Sequence, residues 1–220
     1  MKLPSTLRRD LGTLLIALGL VFAWNSALLY PLKLVVVLFH ELGHALMAVA
    51  TGGSVASLSV GADESGEVRS LGGNAILTLN AGYLGSLVWG LALLVLTRRP
   101  RLSRVAAAAL AGLLVFVAAV WARPVFSFGF IWVLVAAAGF GVLARFANDA
   151  VATIFLRVLG LFSVLYAVGD IVDDVLLRPG SPSDAAFLAE RTGVPALVWG
   201  FGWAGASLAA VWAVLWRTGR

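Results

Sequence analysis

Only two histidines occur in the chain of 220 residues, and both fall in one apolar segment, as His40-Glu41-Leu42-Gly43-His44. On an α-helix, positions i and i+4 lie roughly 40° apart around the axis and about 6 Å apart along it. Two imidazoles so spaced can converge on one metal ion from a single face. That makes His40 and His44 of this HExxH pentapeptide candidate zinc ligands. Glu41 follows the first of them and flanks such an ion without having to ligate it. From there it can take a proton from a water that the metal acidifies and pass it to a leaving amine, the general base of peptide hydrolysis. Gly43 and Ala45 keep the helix surface low beside the second histidine. The bland alternative is a hydrogen-bonded polar cluster. It is weakened by the membrane setting, where a carboxylate costs several kcal/mol unless it has a partner or a task.

Composition sets the elements that must carry the motif. Hydrophobic residues make up 61% of the chain and charged residues 12%, with mean hydropathy +0.98. A soluble domain of this length has too little interior to hide that much apolar surface. The expected fold is an all-α polytopic membrane protein, a single domain over residues 1–220 with about six to seven transmembrane helices in a lipid bilayer. Apolar stretches run approximately over 11–30, 32–51, 76–97, 104–121, 125–145, 150–177 and 195–216, the second holding HExxH. The basic head and apolar run at the N-terminus lack a small-x-small cleavage site, so they read as a retained first helix. The absence of cysteine excludes disulfides, thiolate ligands and a cysteine nucleophile.

The net charge of +5 sits in short loops such as Arg98-Arg99-Pro100-Arg101. It is a topology signal and a contact for anionic lipid, not a nucleic-acid surface. The 98–104 loop and Arg217 and Arg220 claim one side of the membrane. Lys2, Arg8 and Arg9 want that same side although three spans intervene. Either one early segment does not fully cross, or the N-terminus breaks the rule.

Two stretches depart from the apolar pattern. Residues 54–73 alternate small polar and apolar side chains around the turn Gly61–Gly66, a β-hairpin pattern. A strand edge directly after the motif helix could hold a substrate extended, or the hairpin could simply connect two helices. Residues 181–193 suit a short helix capped by Ser181, with Pro182 first, Asp184 in the first turn and Gly193 at the end. Phe187 and Leu188 make one side apolar, which predicts a helix lying at the membrane surface with no chemical role.

A catalytic zinc takes three protein ligands and keeps one position open. With both histidines used and no cysteine, the third ligand must be a carboxylate. Glu64, Glu67 and Asp63 belong to the hairpin, Glu190 to the surface helix, and Asp149 reads as a helix cap beside Asn148. Asp170, Asp173 and Asp174 remain, near the end of the sixth stretch. The second and sixth stretches are parallel, and His44 and Asp170 each lie about seven residues before the end of their own, hence at similar depth. Asp170 is therefore the favoured ligand, with Asp174 the runner-up and Asp173 assigned to a hydrogen bond or the headgroups.

Taken together, His40-Glu41-Leu42-Gly43-His44-Ala45, Thr51-Gly52-Gly53, Asn80-Ala81-Gly82-Tyr83-Leu84-Gly85 and Tyr166–Asp174 resemble the site-2 protease family of intramembrane zinc metallopeptidases. The likeness is greatest to the small bacterial branch without a PDZ domain and covers roughly residues 32–177 as a metallopeptidase-like core. It implies His40 and His44 as Zn2+ ligands, Glu41 as general base, an aspartate as third ligand, a membrane-protein substrate, regulated intramembrane proteolysis, and residence in the bacterial cell membrane. Two departures stand out. Gly169-Asp170-Ile171-Val172-Asp173-Asp174 replaces the family's Asn-Pro…Leu-Asp-Gly, and Ala81-Gly82-Tyr83 replaces Ala-Gly-Pro. Two other functions suit the same residues: an inactive relative acting as a membrane scaffold, and a metal or ion transporter.

Overall fold

The computed structural model describes residues 5–177 and 182–216. Eight α-helices and one hairpin follow in order: α1 (Ser5–Phe22), α2 (Tyr30–Ala50), β1 (Ser54–Val60), β2 (Gly66–Leu71), α3 (Ala75–Leu96), α4 (Pro100–Val120), α5 (Phe128–Phe146), α6 (Asp149–Val172), α7 (Asp184–Thr192) and α8 (Ala196–Trp216). The polytopic helical architecture expected from composition is the one observed. Helices α2 to α6 are each long and apolar enough to cross a bilayer, and α8 is apolar over Ala196–Ala210. Helix α1 carries Arg8, Arg9 and Asp10 within its first turns.

Local sequence explains where these helices begin and end. Pro31 stands in the first turn of α2, where no backbone N–H is needed. Gly52, at φ 88°, takes the left-handed conformation that ends α2. The side-chain oxygens of Asn74, Ser127, Asn148 and Ser183 each accept a backbone N–H in the first turn of α3, α5, α6 and α7. Asn148 is thus the cap of α6, and Asp149 is its first helical residue. The cap of α7 is Ser183, so that helix starts at Asp184; Ser181 lies outside the described residues. Gly193, at φ 71°, closes α7 as the sequence suggested.

The site is held by a three-helix core of α2, α3 and α6. Helix α2 is apolar nearly all round and is buried accordingly, with Leu34, Val36, Leu38, Phe39 and Leu42 fully enclosed. Small residues let the backbones approach. A Cβ on Gly43 would collide with the carbonyl oxygen of Ala81 and sit 3.3 Å from the Cα of Gly85. The glycine of HExxH is therefore the place where α3 crosses α2, in the manner of small-residue crossings in membranes. Gly90 and Gly160 play the same part between α3 and α6, where the Ser163 hydroxyl also donates to the Ser86 carbonyl at 2.7 Å.

The hairpin is antiparallel, pairing Ser54 with Leu71 at its base and Val60 with Gly66 near its tip, with one irregularity between Val55 and Ser57. It folds back over α2. The Tyr30 hydroxyl donates to the Ala62 carbonyl at 2.7 Å, and the Lys33 ammonium pairs with the Glu64 carboxylate at 3.1 Å. At the base, the Thr51 hydroxyl accepts the Asn74 N–H at 2.9 Å and joins α2 to the start of α3. The outer edge of β1 is partly covered by the segment after α4: the Leu58 N–H donates to the Trp121 carbonyl at 2.8 Å, and the Arg123 N–H to the Leu58 carbonyl at 3.2 Å. Among the described residues β2 pairs with β1 alone. Residues Gly66–Ser70 of β2 line a polar cleft.

Candidate metal centre

His40 and His44 lie on one face of α2, as their spacing demands, with ring centroids 4.7 Å apart. The carboxylate that meets them comes from α7. One oxygen, Oδ2 of Asp184, lies 3.1 Å from His40 Nε2 and 3.1 Å from His44 Nε2. Among the described residues these three form the group whose ligand atoms converge, all within 4.8 Å of one another. Asp170, favoured from depth, and Asp174, the runner-up, are not in that group. Asp170 lines the same cleft, and Asp174 accepts a hydrogen bond from the Tyr83 hydroxyl.

Asp184 reaches the histidines because α7 is wedged into the bundle. Ala185 and Leu188 are fully buried with Tyr83, Ile171, Val175 and Trp203. Residues 184 and 188 share a helix face, so burying Leu188 turns Asp184 inward. Phe187, expected beside Leu188 on the apolar side, remains 45% exposed. Burial opposes ionisation of Asp184, yet hydrogen bonds with His40 and His44 outweigh it and hold the carboxyl down at about 2. Asp184 is therefore an anion at any physiological pH, as a metal ligand must be.

The donor set suits zinc. His44 Nδ1 lies 2.7 Å from the Thr78 carbonyl, which can only accept, so Nδ1 carries the proton. Nε2 is then the nitrogen that faces Asp184, donating to it when the ring is protonated and free to ligate an ion when the ring is neutral. A carbonyl at the far nitrogen is also the usual second partner of a metal-bound imidazole. Two imidazole nitrogens and one carboxylate oxygen are the ligand types of catalytic zinc sites. Space for an ion is preserved by Gly82, where a Cβ would lie 2.6 Å from His40 Cε1 and 2.5 Å from Asp184 Oδ2.

Glu41 is buried next to this group. Its carboxylate lies against β2, where a Cβ on Gly66 would be 2.7 Å from Glu41 Cδ and 2.8 Å from Cγ. The His40 and Tyr83 rings meet at right angles with centroids 5.0 Å apart, and Tyr83 packs on Trp203, whose indole N–H donates to Asn80 at 2.8 Å. The Asn80-Ala81-Gly82-Tyr83 stretch of α3 thus forms the back wall of the centre. A cleft of about 1080 Å³ opens from it, walled by Glu41, the β2 backbone from Gly66 to Ser70, the end of α6 and the start of α7.

A membrane-spanning helical bundle, with a metallopeptidase motif helix facing a polar cleft, defines an integral membrane protein of the metallopeptidase class. The family model Peptidase M50B-like matches residues 13–214, and the chain belongs to this family. The match takes in α2 through α7 whole, including Asp184. No curated protein and no solved structure matches the chain.

Proposed function

We propose that this protein is an intramembrane zinc endopeptidase that cuts an extended segment in or beside a transmembrane helix of another membrane protein. The observation that carries the reading is the convergence of His40, His44 and Asp184 beside Glu41, at the head of a cleft walled by a strand edge. In this reading His40, His44 and Asp184 hold the ion and Asp170 and Asp174 do not. Zinc, when bound, supplies Lewis acidity that polarises a substrate carbonyl and lowers the pKa of a water.

The chain's own residues do the rest. Glu41 takes the proton from the attacking water and delivers it to the departing amine. Gly66 keeps β2 close enough to hold the Glu41 carboxylate in place. The open edge of β2 offers backbone donors and acceptors to a substrate strand, which the site requires because a carbonyl engaged within a helix is not available for attack. Substrates with helix-weakening Gly, Asn or Pro near the cut are favoured for the same reason.

The test is hydrolysis of a transmembrane peptide by the detergent-purified full chain. Cleavage is expected, stopped by a zinc chelator and restored by stoichiometric zinc. Cleavage that survives complete zinc removal, or none by the zinc-loaded protein across a panel of Gly- and Asn-containing segments, would contradict the proposal.

A further inference from the structure

The chain has three tyrosines, and the hydroxyls of two are accounted for within the protein. Tyr30 donates to the Ala62 carbonyl and Tyr83 to Asp174. Tyr166 of α6 is only 8% exposed, yet its hydroxyl has no hydrogen-bond partner among the described residues. Among those residues, the fully enclosed polar side-chain atoms without a partner belong to Ser86, Trp132 and Trp199. The Tyr166 oxygen is not one of them, so the small accessible part of this side chain includes the oxygen, and the space that Tyr166 lines is the cleft. Trp24 and Phe162 pack on the ring, with centroids 5.8 and 6.0 Å away. They hold the ring in place, but phenylalanine would serve them equally well. A buried phenol hydroxyl ordinarily has a partner, and here the partner has to come from the cleft. Resting on the peptidase reading of the site, we propose that Tyr166 is a substrate-binding residue: its hydroxyl donates to a backbone carbonyl on the outer edge of the substrate strand.

A strand laid along β2 satisfies only one of its two edges. The carbonyls of its other edge point away from β2, across the cleft. A carbonyl that leaves water for such a recess needs a donor there. Of the cleft residues from α6 and the turn after it, Asp170, Asp173 and Asp174 carry carboxylates, which accept. The Tyr166 hydroxyl is the donor of that wall. The charged neighbours of its oxygen include Asp170, one turn further along α6, and Glu64 at the hairpin tip. The oxygen thus lies at the tip end of the cleft, where Gly66 rests against Glu41. The carbonyl it serves is accordingly close to the cut.

The test uses the zinc-loaded full chain carrying Glu41→Gln, in which hydrolysis is too slow to disturb binding, and a labelled apolar peptide with a central Gly. Adding Tyr166→Phe removes one oxygen and keeps the ring. It is expected to weaken binding about fivefold, the loss of one neutral hydrogen bond. The melting temperature of the peptide-free protein should not fall, because no internal bond is lost. Peptides with one backbone amide at a time replaced by an ester present a weaker carbonyl acceptor at that position. At one position near the Gly, the ester penalty should be about threefold smaller with Phe than with Tyr at 166, and elsewhere it should be equal in the two proteins. Unchanged affinity, a lower melting temperature, or equal ester penalties at every position overturn the proposal. With Glu41 restored, Tyr166→Phe should lower kcat/KM about fivefold through KM; a fall through kcat alone would assign the hydroxyl to the transition state and overturn the proposal as well. The peptidase reading is reported separately. Binding that depends on Tyr166 without cleavage by the wild type contradicts that reading alone, and cleavage that Tyr166→Phe leaves unaltered contradicts only the role of Tyr166.

Discussion

Replacing Glu41 with Gln is expected to lower peptide hydrolysis by about 10²–10⁴-fold while zinc stays near one per chain. Gln matches Glu in shape, so the pocket under Gly66 stays filled, but its amide cannot accept a proton from water. The nearest groups argue that zinc is kept. Ligand atoms of His40, His44 and Asp184 converge, and Glu41 is outside that set. Measuring zinc and initial rate on the same preparation separates two roles. If zinc fell together with the rate, Glu41 would be a ligand and another group would have to be the base.

The second large effect belongs to a residue with no side chain. Gly82→Ala is expected to bring zinc from about one per chain to near zero, and activity with it. The new methyl would sit 2.6 Å from His40 Cε1 and 2.5 Å from Asp184 Oδ2. Carbon contacts prefer about 3.5–4.0 Å, so His40 or α7 must move by about 1 Å. The pocket is bounded on that side by Tyr83 and Trp203, which are both buried. Helix weakening does not account for a loss, because Ala stabilises a helix by about 1 kcal/mol relative to Gly. Zinc retained at wild-type affinity in Gly82→Ala would mean that the ion sits elsewhere.

The legible and illegible parts of this site differ in physical kind. His40, Glu41 and His44 could be read because their relation is local: helix geometry converts sequence spacing into spatial position. The helical spans and the hairpin could be read for the same reason, from long apolar runs and from two-residue alternation. Asp184 depends on a tertiary fact. Depth can be compared only between residues on spanning helices, and α7 spans nothing; its nine residues mix apolar and polar side chains evenly. What brings it in is the burial of Ala185 and Leu188 against α3, α6 and α8. A weak signal was present: Asp184 and Leu188 are four apart, so an inward Leu188 implies an inward carboxylate. The role of Gly43 was also partly hidden. Its missing side chain serves the crossing of α3, which no spacing within α2 reveals. Likewise Asp174 is accounted for by Tyr83 from a distant helix, the same residue that marks the departure from the family's Ala-Gly-Pro.

The most direct test of the account is zinc per chain in detergent-purified wild type, Asp184→Ala, Asp170→Ala and Asp174→Ala, side by side. With His40, His44 and Asp184 as the ligands, wild type, Asp170→Ala and Asp174→Ala each hold about one zinc and Asp184→Ala holds almost none. Zinc kept in Asp184→Ala and lost in Asp170→Ala would contradict the account and return the third ligand to α6.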